Sequence, residues 1–129
     1  MKRIARILLI DDKPWWSEFF KKMLSTHGYK LDIAHNEDEA LKKLDSQKYG
    51  LVFLDFYVSG PDGTVSLRRI LEKHPEERVV VVSASPSWKE GRDIFRIGAI
   101  DYLSKSFDES KLLKTIQEGL KIKPSLAHK

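Results

Sequence analysis

Along this chain, apolar runs too short for helices alternate with longer stretches in which apolar residues recur at helical spacing. Arg6–Ile10 (RILLI) is the first short run and predicts a strand that leads into Asp11 and Asp12. Pro14 suits the first turn of a helix, and Trp16, Phe19, Phe20, Met23 and Leu24 then fall on one stripe until Gly28 ends it. Tyr29–Ala34 predicts a weaker second strand. Asn36 reads as an N-cap with Glu39 in the capping-box position, opening a helix to about Leu44. Leu51–Leu54 (LVFL) predicts a third strand ending at Asp55, and Ser59-Gly60-Pro61-Asp62-Gly63 is turn chemistry throughout. Helical spacing resumes over Val65, Leu67, Ile70 and Leu71 and stops near Pro75. Val79–Val82 is all valine and ends at Ser83; β-branched residues on both alternating faces predict a strand covered on each side, as in a parallel sheet. A helix over about Lys89–Ile97 ends at Gly98, and Ile100–Leu103 predicts the fifth strand, followed by Ser104 and Lys105. Asp108 is placed to cap a last helix striped by Leu112, Leu113, Ile116 and Leu120, with Phe107 positioned to staple against Leu112.

Strands and helices in strict alternation predict an open, doubly wound parallel sheet with helices on both faces. The chain of 129 residues is expected to form one domain, with its core over about 6–120 and tails at 1–5 and 121–129. It contains no repeat or low-complexity tract, and the short stretch after the last helix predicts no second domain there. The absence of cysteine excludes disulfides, thiolate metal sites and cysteine nucleophiles. No apolar run reaches the roughly 18 residues of a membrane span, and the first apolar run is too short for a signal peptide, so a cytoplasmic protein without membrane contact is expected. The net charge of +4 invites a nucleic-acid partner, but Lys2, Arg3, Arg6, Lys121, Lys123 and Lys129 carry the excess. Residues 7–120 hold 17 basic against 19 acidic side chains, so no direct nucleic-acid binding is expected of the folded body.

Ligands of such sheets bind beyond the carboxyl ends of the strands, where strand order reverses. At those ends stand Asp11 and Asp12, Asp55, Ser83 and Lys105. Three carboxylates close together raise one another's pKa or recruit a cation. An all-oxygen ligand set favours a hard ion such as Mg²⁺. With Mg²⁺ and Lys105 the charges sum to zero, which suits a site that accepts a dianionic phosphoryl group. Asp55 follows a fully apolar run and precedes a Gly-rich turn, which makes it the best nucleophile candidate.

These residues carry a family resemblance. The order Asp11-Asp12, Asp55, Ser83-Ala84 and Gly98-Ala99-Ile100-Asp101-Tyr102-Leu103-Ser104-Lys105 resembles the receiver domains of bacterial two-component response regulators, over about Arg6 to Leu120. The resemblance implies the flavodoxin-like sheet order 2-1-3-4-5. It implies a phosphoacceptor signalling module that takes a phosphoryl group onto Asp55 from a histidine kinase or a histidine phosphotransfer protein. Asp12, Asp11, Asp55 and the backbone carbonyl of Tyr57 would hold Mg²⁺ or Mn²⁺. Ser83 and Lys105 would meet phosphoryl oxygens, with the backbone N–H groups of Phe56 and Ala84 serving the rest. Ser83 and Tyr102 would form the conformational switch, acting on a downstream protein target or output domain and on a phosphorylation-dependent homodimer through the last two helices. Catalysis beyond Mg²⁺-dependent self-phosphorylation and dephosphorylation is not implied.

Two positions depart from the family's pattern. Ser59 and Ser106 stand where many receivers have proline, and the second leaves open whether the Lys105–Ser106 peptide bond is cis or trans. The plainer accounts are that Asp11 and Asp12 cap the following helix, that Asp55 is a turn residue, that Ser83 satisfies a strand-end N–H, and that Tyr102 is core or a fixed surface ring. Trp16 belongs to the core stripe, whereas Trp15 lies off it beside the acidic loop, placed for half-exposed packing or partner docking. Three rival functions differ in class. A flavin electron carrier needs a Ser/Thr/Gly-rich loop after the first strand, where this chain has Asp-Asp-Lys-Pro-Trp. An aspartate-nucleophile phosphatase needs a second aspartate at position 57, which is tyrosine. A degenerate receiver would act only as a protein-interaction module.

Overall fold

The computed structural model of the chain describes residues 5–122. Lys2, Arg3, Lys123, His128 and Lys129 lie outside the described residues. Five strands, β1 (Arg6–Ile10), β2 (Lys30–Ala34), β3 (Leu51–Asp55), β4 (Val79–Ser83) and β5 (Asp101–Ser104), alternate with five helices. The helices are α1 (Pro14–Ser25), α2 (Glu37–Ser46), α3 (Thr64–Lys73), α4 (Trp88–Ile97) and α5 (Glu109–Lys121). The strands pair in parallel in the order β2-β1-β3-β4-β5. This is the flavodoxin-like fold and the strand order expected from the sequence.

Alternation along the central strands builds the two covered faces. Leu8, Ile10, Val52, Leu54, Val79 and Val81 pack with Ala40 and Leu44 of α2, Leu67 and Ile70 of α3 and Ile94 of α4. Ile7, Leu9, Leu51, Phe53, Val80 and Val82 face the other way, onto Trp16, Phe20 and Leu24 of α1 and Leu112 and Ile116 of α5. β3 and β4 are buried along their whole length, so their carboxyl ends emerge from a rigid, apolar support. Gly63 lets α3 start close under this edge, since a Cβ there would lie 2.2 Å from the Phe56 carbonyl oxygen.

Local departures have simple causes. Phe19 and Val65, placed on core stripes by spacing, are about half exposed because only the inner part of each apolar arc meets the sheet. Asn36 caps α2 as expected, accepting from Glu39 N–H at 2.9 Å, but the Glu39 carboxylate returns to His35 N–H instead of to the cap residue. β5 begins one residue later than the apolar run, at Asp101, while Ile100 N–H already bonds the Val79 carbonyl at 2.8 Å. Phe107 packs edge-on to Trp16, 5.8 Å between ring centroids, within the cluster that also holds Leu112. No helix among the described residues is long and apolar enough to cross a membrane.

One buried charge lies at the opposite end from the strand-end aspartates. Glu77, just before β4, is buried, and its Oε1 has no hydrogen-bond partner. Burial, with Glu76 adding repulsion, pushes its pKa up to about 7. A carboxyl group with a raised folded-state pKa contributes stability that is complete below the unfolded value near 4.5 and is lost as pH rises to about 7. The loss amounts to about 3 kcal/mol. Glu77→Gln is therefore expected to match the parent near pH 4.5 and to exceed it at pH 8. Urea midpoints of both proteins at the two pH values check this; an equal gap at both would contradict it.

Candidate functional site at the carboxyl edge of the sheet

Strand order reverses between β1 and β3, and the carboxyl ends of these two strands flank the resulting crevice. β1 delivers Asp11 and Asp12 to it, and Asp55 is the last residue of β3. One carboxylate oxygen from each of Asp11, Asp12 and Asp55 lies within 4.8 Å of the other two. Asp11 and Asp55 are buried, at 0% and 2% exposure, while Asp12 faces solvent.

The two buried carboxylates are held alike. Asp11 Oδ1 accepts from Lys13 N–H at 2.7 Å, and Asp55 Oδ1 accepts from Tyr57 N–H at 3.2 Å. Their Oδ2 atoms have no aligned hydrogen-bond donor, although Lys105 Nζ lies 2.9 Å from Asp11 Oδ2 and 3.6 Å from Asp55 Oδ2. Burial pushes the Asp55 carboxyl above the usual carboxylate range and the Asp11 charge adds to this; Tyr57 N–H, Lys105 and Lys13 pull the other way. The Lys13 ammonium is raised in turn, chiefly by its hydrogen bond to Asp12. Two buried carboxylates that share a single ammonium are an expensive arrangement in protein alone.

Such a donor set fits a small hard cation. Octahedral Mg²⁺ at about 2.1 Å from its ligands places neighbouring ligand oxygens about 3 Å apart and opposite ones about 4 Å apart, within small side-chain adjustments of the present spacing. Asp12 stands on the solvent side of the cluster, with Lys13 Nζ 3.3 Å from its Oδ1. Helix capping does not account for the aspartates, because the N-cap of α1 is Lys13 and makes no side-chain cap bond. Asp11 spends one oxygen on the turn and keeps the other for the crevice.

Ser83 ends β4, fully buried, and its Oγ accepts from Ser85 N–H at 3.2 Å. Ala84 follows it at the exposed edge. Phe56 differs from the rest of the set. Its N–H donates to the Val82 carbonyl at 2.8 Å, so the sheet already uses this amide, and serving a phosphoryl oxygen requires sharing that bond. The Lys105–Ser106 bond is trans, as are all peptide bonds among the described residues. Lys105 still reaches both carboxylates, because its own N–H is fixed to the Ser83 carbonyl at 2.8 Å and Ser106 N–H turns back to Ser104 Oγ at 3.2 Å.

Two participants had no signal in the sequence. Trp16, placed in the core by its spacing, also lies under the lysine, with Lys105 Nζ 4.7 Å from its ring centroid. Glu90 of α4 receives hydrogen bonds from the hydroxyls of Tyr57 and Tyr102, at 3.1 and 2.5 Å. Tyr102 is half-buried, and Tyr57, expected to matter only through its carbonyl, is half-buried beside it. Trp15 is 69% exposed, more than half-exposed packing requires. The histidines at 27, 35 and 74 each sit against carboxylates and form no ligand cluster.

A family model described as the response regulator receiver domain matches residues 7–117. The chain is 31% identical over 114 residues to the transcriptional regulatory protein ZraR of Klebsiella oxytoca, covering 88% of this chain and 26% of ZraR. The solved receiver domain of NtrX from Brucella abortus superposes with a TM-score of 0.82 at 30% identity, over 88% of this chain and 97% of that one. A response regulator protein from Burkholderia pseudomallei, solved with a phosphorylated aspartic acid, a calcium ion and citrate, superposes with a TM-score of 0.79 at 25% identity, over 90% of this chain and 68% of that one. The chain spans about a quarter to a half of the length of the curated relatives it matches.

Proposed function

The chain belongs to the response regulator receiver domain family, and from that premise we propose that it accepts a phosphoryl group on Asp55 with the help of a divalent cation and changes conformation in response. Membership makes it a phosphoacceptor module of two-component signal transduction. The observation that carries the finer reading is the pair of buried Oδ2 atoms on Asp11 and Asp55, which share only the Lys105 ammonium at the reversal point of the sheet.

In this reading Asp11, Asp12, Asp55 and the Tyr57 carbonyl hold Mg²⁺ or Mn²⁺. The cation supplies charge neutralisation for a transferring phosphoryl group. An Asp55 carboxylate oxygen attacks phosphorus as the bond to the donor breaks, and the donor, a histidine kinase or histidine phosphotransfer protein, regains its imidazole. Lys105 pairs with one phosphoryl oxygen, Ser83 donates to another, and Ala84 N–H, with a shared Phe56 N–H, serves the rest. Ser83 and Tyr102 form the switch, which repacks α4, β5 and α5. The relative solved with a phosphorylated aspartic acid and a calcium ion supports both the acceptor and the ion. A downstream protein target or output domain, or a second phosphorylated copy, would meet the last two helices, where Trp88 is 80% exposed on α4.

Incubation with Mg²⁺ and a small acyl phosphate, followed by mass measurement, tests the proposal. One added phosphoryl group is expected, absent without the metal and mapped to the peptide that contains Asp55. Mg²⁺ titration followed by tryptophan emission is expected to saturate, because Trp15 and Trp16 adjoin the acidic loop, and Asp12→Ala is expected to weaken that response. No mass gain, or a gain on another peptide, would overturn the assignment.

A further inference from the structure

Two phenols from distant parts of the chain share one carboxylate. Tyr57, two residues past Asp55, donates its hydroxyl to Glu90 Oε2 at 3.1 Å, and Tyr102 of β5 donates to Glu90 Oε1 at 2.5 Å. The Tyr102 hydroxyl also accepts from Ser87 N–H at 3.0 Å, while the Ser87 side chain caps α4 by accepting from Glu90 N–H at 3.1 Å. Glu90 therefore lies in the first turn of α4, where the helix favours a negative charge. Burial holds both phenols above their usual pKa, Tyr102 at about 12, and the bond to Glu90 is the next cause in each; the Ser83 hydroxyl acts on both in the opposite sense. Gly91 is the space into which the Tyr102 ring fits, since a Cβ there would lie 3.2 Å from Cδ2.

Tyr57 has its two ends in different places. Its N–H holds the Asp55 carboxylate, and its hydroxyl holds Glu90. Only two rotatable bonds join a tyrosine's backbone to its ring, so a shift of the Tyr57 backbone is passed to the hydroxyl and not absorbed on the way. Hydrogen bonds to an ionised carboxylate are also the stronger kind. Glu90 thus joins the loop beside the acceptor to the ring on β5, in addition to the Ser83 hydroxyl that acts on both phenols.

We propose that Glu90 is a positioning residue that couples the state of the metal centre to the Tyr102 ring through Tyr57. The proposal rests on the reading of Asp11, Asp12, Asp55 and the Tyr57 carbonyl as the metal site, and Mg²⁺ alone, with no phosphodonor, is the probe that separates the two.

The chain's four tyrosines are labelled as 3-fluorotyrosine, and the Tyr102 fluorine resonance is assigned by its loss in Tyr102→Phe. Mg²⁺ is then titrated while that resonance and tryptophan emission are followed together. In the parent, both are expected to move and saturate at the same concentration. In Glu90→Ala, tryptophan emission still saturates but the Tyr102 resonance loses its response and starts from a different position before metal is added; in Tyr57→Phe, whatever its metal affinity, the Tyr102 resonance no longer tracks the emission. A Tyr102 resonance that follows Mg²⁺ equally in the parent and both variants overturns the coupling and leaves the metal site standing. A parent whose tryptophan emission ignores Mg²⁺ overturns the metal site, and the coupling with it. In that case an unmoved resonance in metal-free Glu90→Ala removes the bridge as well.

Discussion

Asp55→Asn is expected to abolish phosphoryl uptake and to leave a fold at least as stable as the parent. The acceptor must present an anionic oxygen to phosphorus, and an amide of the same shape has none. The neighbouring groups gain nothing that replaces it: Ser83 and Lys105 carry no carboxylate, and Asp11 has one oxygen bonded to Lys13 N–H and the other paired with Lys105. The stability half of the expectation follows from charge. Asp55 is buried beside Asp11, and burial already raises its pKa, so its ionised form opposes folding in the absence of metal. The same sign makes Asp55 add to the parent's loss of stability as pH rises through the ordinary carboxylate range, so the neutral variant should keep only the shallower slope set by groups such as Glu77. Thermal melts in chelator at pH 5 and pH 8, run beside the mass measurement, decide both halves. A variant that still gains one phosphoryl group, or melts well below the parent at pH 8, would falsify the account of Asp55.

Lys105→Met is expected to separate the two tasks of the cluster, tightening Mg²⁺ binding while slowing phosphoryl uptake. Methionine keeps an unbranched stem against Trp16, so the ring under the lysine stays covered. The lost ammonium lies 2.9 and 3.6 Å from two of the carboxylates that would hold the ion. A cation at roughly 5 Å from a divalent ion, at an effective dielectric near 20, opposes it by several kcal/mol before screening, so binding should tighten by about 10- to 100-fold. Uptake should fall by about 100- to 1,000-fold, the usual effect of removing one preorganised charge from a transition state. Tryptophan emission during Mg²⁺ titration gives the first quantity, and initial rates with acyl phosphate give the second. Unchanged metal affinity would show that the lysine is too mobile to contribute to the local field.

The fold was legible because each central strand is a short apolar run with its chemistry at one end. Four valines ending at Ser83 and LVFL ending at Asp55 could be placed without knowledge of their neighbours. The doubly wound order then followed from alternation and from the family resemblance together. The acidic crevice was legible for the same reason, since strand ends in a parallel sheet converge on one edge. What escaped was sideways. Trp16 beneath Lys105 joins a core stripe to a strand end, and Glu90 stands 33 residues from Tyr57 and 12 from Tyr102. Neither leaves a period or a motif. The Phe56 amide escaped for a different reason: a backbone donor's partner is set by sheet register, and only the pairing of β3 with β4 shows that Val82 already holds it. Phe19 and Val65 show the limit of stripe counting, which marks an apolar arc wider than the part the sheet covers.

The proposed acceptor crevice draws its groups from the ends of β1, β3 and β4 and from just beyond β5. None of these segments makes it alone, and a one-residue slip of any strand would turn its contribution to the opposite face. A partly folded or newly made chain is therefore mute: until the segment carrying Lys105 has docked, there is no charged cradle for a donor to answer. Competence to receive a signal and completion of the fold arrive together, so a lesion anywhere in the apolar layers dims the response in proportion to the fraction of chains left unfolded.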